Sequence, residues 1–68
     1  MTLTVEFEIE DDGRWLAEVL ELPGVLAYGQ TSDEAIAKAQ ALALRILADR
    51  LEHAEGNPEF LNIHFAAA

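Results

Sequence analysis

The chain has no cysteine, only four basic residues, four glycines and two prolines in 68 positions, and aromatic side chains make up 7% of it. Without cysteine there is neither a disulfide framework nor a thiolate to act as metal ligand or nucleophile, so packing alone must hold the fold. No apolar run approaches the roughly 20 residues that span a bilayer. Met1-Thr2-Leu3-Thr4 lacks the positive start and apolar stretch of a targeting segment. These absences predict a soluble, cytoplasmic protein. Two histidines, His53 and His64, fall short of the three or four convergent ligands of a zinc site. No serine stands in a catalytic arrangement with a histidine and no glycine loop could cradle phosphate, so no catalytic residue, metal or cofactor is expected.

The hydrophobic content of 51% places the chain in the folded globular class, as one domain over residues 1–68. A chain this short buries only about 60% of the surface its unfolded form exposes, so self-association as a dimer or tetramer is the default expectation. The net charge of −9 would repel nucleic acid and anionic lipid and attract a basic partner. That charge is concentrated: residues 1–34 hold nine acidic residues and one basic, residues 35–68 four and three.

Leu3, Val5, Phe7 and Ile9 alternate with Thr4, Glu6, Glu8 and Glu10, the period of a strand with one buried and one wet face. Asp11-Asp12-Gly13 then reads as a three-residue hairpin loop with Gly13 in the left-handed position. This register sets Ile9 against Trp15, Phe7 against Ala17 and Val5 against Val19. A two-residue Asp12-Gly13 turn would instead bring Glu18 opposite Phe7 on the core face, where an unpaired carboxylate costs several kcal/mol. The three-residue loop leaves Leu16 and Leu20 on the far face among Glu6, Glu8 and Glu18, an apolar strip in an acidic rim of the kind that marks an interface.

Leu22-Pro23-Gly24 ends the second strand, and Val25 to Gly29 resumes as a third. Thr31 with Glu34 forms a capping box, and Asp33 and Glu34 suit the positive end of a helix dipole, so a helix is expected from Ser32 to about His53. Gly56 and Pro58 supply the stop. Ala35, Ala39, Leu42 and Ile46 form one stripe, with Ile36, Ala43, Leu47 and Leu51 beside it; Ala41 and Leu44, round the side, are candidates to face a second subunit. After a turn at Glu55 to Pro58, Phe60 to Phe65 reads as a last strand with Leu61, Ile63 and Phe65 on one face, and Ala66-Ala67-Ala68 as a frayed end. The fold expected is α+β: a three-stranded meander, one long helix and a final short strand (βββαβ), the helix on one face of the sheet.

The run W-L-A-E-V-L-E-L-P-G-V-L-A-Y-G-Q-T-S-D-E-A from Trp15 to Ala35, with Asp12-Gly13 before it, resembles the HicB-like antitoxin family. The likeness rests on the acidic-Gly hairpin, the L-P-G corner and the G-x-T-x-x-E-A helix start, and covers about Val5 to Leu51. It implies a partial ribonuclease-H-like fold and an antitoxin that binds and masks a small basic HicA-like ribonuclease toxin. Many members carry a ribbon-helix-helix or helix-turn-helix domain after this one. None is expected within these 68 residues, and with it goes the expectation of direct nucleic-acid binding.

The reading that follows is a protein-binding module without enzymatic activity, with Glu6, Glu8, Glu10, Asp12, Leu16, Glu18 and Leu20 as the partner-binding residues. An orphan homo-oligomeric domain of the same fold stays open beside it. A metal-dependent nuclease fits poorly, because Glu6, Glu8 and Glu10 lie along one strand roughly 7 Å apart, whereas two-metal chemistry converges carboxylates on ions about 4 Å apart.

Overall fold

The computed structural model describes residues 1–54 and 58–68, Glu59 by its backbone alone. The elements run β1 (Thr2–Ile9), β2 (Trp15–Val19), β3 (Leu26–Gly29), α1 (Ser32–Glu52), a 3-10 helix at Pro58–Leu61 and β4 (His64–Ala67). One four-stranded sheet has the order β3-β2-β1-β4. The meander is antiparallel and β4 joins β1 in parallel, which makes the sheet mixed and the arrangement the expected α+β βββαβ. Among the described residues no helix is long and apolar enough to cross a membrane.

The hairpin forms in the expected register, Ile9 against Trp15, Phe7 against Ala17 and Val5 against Val19. Gly13 takes φ +87°, and the Glu10 N–H donates to the Arg14 carbonyl at 2.7 Å, closing a three-residue loop. At the next corner Pro23 and Gly24 occupy the central positions of a turn whose Val25 N–H donates to the Leu22 carbonyl. Gly24 has φ +86°, as a type II turn requires at its third residue. Leu22 and Val25, on either side of that corner, are both buried.

Thr31 caps α1: its Oγ1 accepts from the Glu34 N–H at 3.1 Å. The reciprocal half of the capping box is displaced by one residue, since the Glu34 carboxylate accepts from the Gln30 N–H and from Lys38 Nζ at 3.1 Å. Those two contacts, Lys38 first, hold the Glu34 carboxyl below its ordinary range. The helix ends on His53, followed by Ala54 in the left-handed region at φ 57°, a place where glycine is the usual occupant. The expected turn at Glu55 to Pro58, with its Gly56 stop, falls on residues 55–57, outside the described residues.

The core joins Leu3, Val5, Ala17, Val19, Leu22 and Val25 to Ala35, Ala39, Ala43 and Leu47. The fully buried helical row is thus a single i, i+4 line, mostly alanine, and Ile36, Leu42 and Ile46 flank it only partly buried. Leu51, expected in the stripe beside Ala43 and Leu47, is exposed. Small residues line the helical side of this core, and Gly29 lies against the first turn of the helix. A Cβ built on Gly29 would stand 2.6 Å from the Ala35 backbone nitrogen.

Three expectations are corrected. Phe7 and Ile9 lie on the helix face of β1 but are 37% and 59% exposed, because α1 rests chiefly on β2 and β3 and leaves the hairpin end of β1 uncovered. The predicted strand from Phe60 begins instead as a 3-10 turn, and Leu61, expected on one face with Ile63 and Phe65, is 86% exposed while those two pack against the core. Ala66 and Ala67 are not frayed; they pair with Thr4 and Val5 in β4.

Candidate functional site

The sheet face opposite α1 gathers most of the residues that the alternation singled out. The registers of β1, β2 and β3 create two rows across that face. One runs Glu6, Glu18, Leu26, and the other Glu8, Leu16, Tyr28. Glu6 and Glu18 are direct cross-strand partners, an arrangement of like charges that destabilises a sheet. Among the described residues none of Glu6, Glu8 or Glu18 has a cationic partner, since the ion pairs join Arg14 to Asp12, Lys38 to Glu34 and His53 to Asp49. Among the described residues, no element covers this face.

Leu20 lies at the far end, its N–H donating to the Thr4 carbonyl, and is 46% exposed. There Glu21 continues the ladder that β2 abandons: its carboxylate accepts from the Thr4 N–H at 2.6 Å and from Thr4 Oγ1 at 2.7 Å. The Thr4 hydroxyl and then the Thr4 N–H hold the Glu21 carboxyl below its ordinary value.

Glu10 and Asp12 stand apart from the strip, at the hairpin end. Asp12 is already engaged, accepting from the Arg14 N–H at 3.0 Å and from Arg14 Nε at 2.7 Å, contacts that lower its pKa in that order. The Arg14 guanidinium carbon also lies 4.2 Å from the centre of the Tyr28 ring, so one cation closes the hairpin end of the face by a cation–π contact.

Sequence reasoning missed Leu26 and Tyr28, which widen the apolar strip to Leu16, Leu26 and Tyr28. The signal was present: Leu26 and Tyr28 alternate with Ala27 and Gly29, large side chains outward and small ones toward the helix. Glu21 was also missed, because a carboxylate that caps a ladder has no periodic signature.

The face is open rather than concave. Among the described residues no cavity is present, and no three His, Asp or Glu side chains gather as a metal site. Its chemistry is that of a surface: unneutralised carboxylates beside exposed leucine and tyrosine. Comparison of the chain with protein-family models, curated proteins and solved structures finds no match.

Proposed function

We propose that this is a cytoplasmic protein-binding module of the antitoxin kind, which uses its open sheet face to hold and mask a small basic partner, a HicA-like ribonuclease toxin, and has no catalytic activity of its own. The observation that carries the reading is the facing pair Glu6 and Glu18, with Glu8 beside them and, among the described residues, no cation paired with any of the three. Like charges held opposite each other cost stability in the free protein. A lysine- or arginine-rich surface would remove that cost on binding, while Leu16, Leu26 and Tyr28 would supply the apolar contact. The net charge of −9 would speed encounter with such a partner and make the rate sensitive to salt.

The test is capture from a native-host lysate on the immobilised chain, with mass spectrometry of what salt elutes, followed by an RNA-cleavage assay of the captured protein with and without the chain. One small basic protein in near-equal amount, whose ribonuclease activity stops when the chain is added, is expected. Glu6→Gln with Glu18→Gln should weaken that complex at least about tenfold, or roughly 1.4 kcal/mol, while raising the unfolding midpoint of the free protein. A raised midpoint with unchanged binding would reduce these glutamates to a solvated strand face.

A further inference from the structure

We propose that the outer edge of β3 pairs with the same edge of a second copy, forming a two-fold dimer with a continuous eight-stranded sheet. This goes beyond the partner-binding reading and does not depend on it.

The Val19 N–H donates to the Val25 carbonyl at 2.9 Å, and Val19 and Val25 lie two residues from the paired Ala17 and Ala27. In an antiparallel ladder the inward and outward residues alternate. Val25, Ala27 and Gly29 therefore turn their bonding groups toward β2, and Leu26 and Tyr28 turn theirs outward. β3 is the last strand in the order β3-β2-β1-β4, so among the described residues nothing pairs with those outward groups. The Gln30 N–H, next in line, is already taken by Glu34.

Natural sheets protect such edges with charge, proline or a bulge. β3 itself carries none of these: it reads Leu-Ala-Tyr-Gly, in a chain of net charge −9, and the charge set against it is that of Arg14 over the Tyr28 ring. β1 makes the contrast, since Glu6 and Glu8 on its segment beyond Val5 would set carboxylates against carboxylates if two copies met there.

Only one symmetric register uses every outward group. Pairing Leu26 with Leu26, or Tyr28 with Tyr28, leaves half of them idle. Pairing Leu26 with Tyr28 of the second copy, about an axis through Ala27, satisfies both residues on both strands. Leu16, Tyr28 and Leu26 are neighbours across the open face. In that register their strip meets its own copy across the axis, and the glutamates stay at the outer flanks. The geometry also suits the helices. Because α1 rests on β2 and β3, its copy would run alongside at roughly 10 Å, an ordinary helix–helix distance. The interface is isologous and closes at two copies.

The wild type and four variants of the full chain test the pairing. Sedimentation equilibrium of the wild type, from micromolar to submillimolar concentration, should reach twice the 7.5 kDa mass of one chain. Leu26→Lys with Tyr28→Lys places lysine against lysine and should weaken the dimer at least tenfold. Leu26→Lys with Tyr28→Glu places lysine against glutamate in this register alone and should keep the dimer. Both positions are exposed, but each charged variant loses the Arg14 contact on the Tyr28 ring, so circular dichroism and the unfolding midpoint of every variant check the fold. Ala27→Cys brings two sulfurs to the axis of a chain with no other cysteine and should oxidise to a covalent dimer faster than Asp11→Cys at the hairpin tip. A wild type that stays at 7.5 kDa, a series of species beyond two copies, equal dimers from the two charged variants, or no preference for the Ala27→Cys link would each overturn the proposal.

Discussion

Replacing Gly29 by alanine tests the close approach of helix and sheet. Gly29 does not sit at positive φ, so alanine meets no backbone penalty there. It should even gain about 0.4–1 kcal/mol by restricting the unfolded chain. Against that, the new Cβ would lie 2.6 Å from the Ala35 nitrogen, 3.0 Å from the Glu34 Cβ and 3.1 Å from the Ala35 Cα. Two of these three atoms are backbone, so no side-chain rotation relieves the clash. The first turn of α1 must retreat by roughly an ångström to restore normal contact. Overpacking of this kind costs about 1–3 kcal/mol. The net loss expected is about 1–2 kcal/mol, a large share of the roughly 3–10 kcal/mol typical of a chain this size. Urea unfolding followed by circular dichroism, at one protein concentration, should show a midpoint lower by about 1–2 M. Gly24→Ala is the control, because it has open space around it but φ +86°, so its cost comes from the backbone alone. A Gly29→Ala protein as stable as the wild type would show that Gly29 is not what lets the helix lie close.

Two further predictions rest on the helix end and on the Glu21 clamp. Ala54 holds φ 57° where glycine pays no steric penalty, so Ala54→Gly should stabilise the protein by about 0.5–1 kcal/mol in the same assay. Glu21 has its pKa lowered by Thr4, so its contribution is present above the ordinary value of 4.5 and disappears as pH falls through the lower folded value. The stability difference between wild type and Glu21→Gln should therefore be full at neutral pH and shrink in acid. A gap that stays constant down to the lowest pH, or a Glu21 carboxyl that titrates at or above 4.5 by NMR, would contradict the clamp.

The hairpin register was legible because two independent signals agreed, the period-two alternation of β1 and a glycine placed to close a three-residue loop. The helix start was legible for a similar reason, since Thr31 and Glu34 have only one common use. Burial was less legible. Phe7 and Ile9 sit on the expected face, but whether a face is covered depends on where the helix lies, and the small residues Ala27 and Gly29 draw it toward β3. The Phe60 to Phe65 segment misled because alternation in six residues is a weak signal. Phe60 and Ile63 both pack on the core although they are three apart, which a strand period of two does not allow, and Phe60 lies in the 3-10 helix that precedes β4. On the candidate site, Glu6, Glu8, Leu16 and Glu18 could be read from one hairpin, whereas adding Leu26 and Tyr28 required knowing that β3 lies beside β2.

The position of β1 in the middle of the sheet has a consequence for synthesis. Its pairing with β2 is local and needs only a short loop. Its other partner, β4, lies about sixty residues away, and closing a loop of that length costs roughly 3–4 kcal/mol beyond a constant term. As the chain leaves the ribosome, the meander and α1 can assemble first. The β4 side of Leu3 and Val5 then waits, as an unpaired hydrophobic strand edge, for the last element to arrive. An inner strand of the finished sheet is thus, for part of synthesis, an exposed edge.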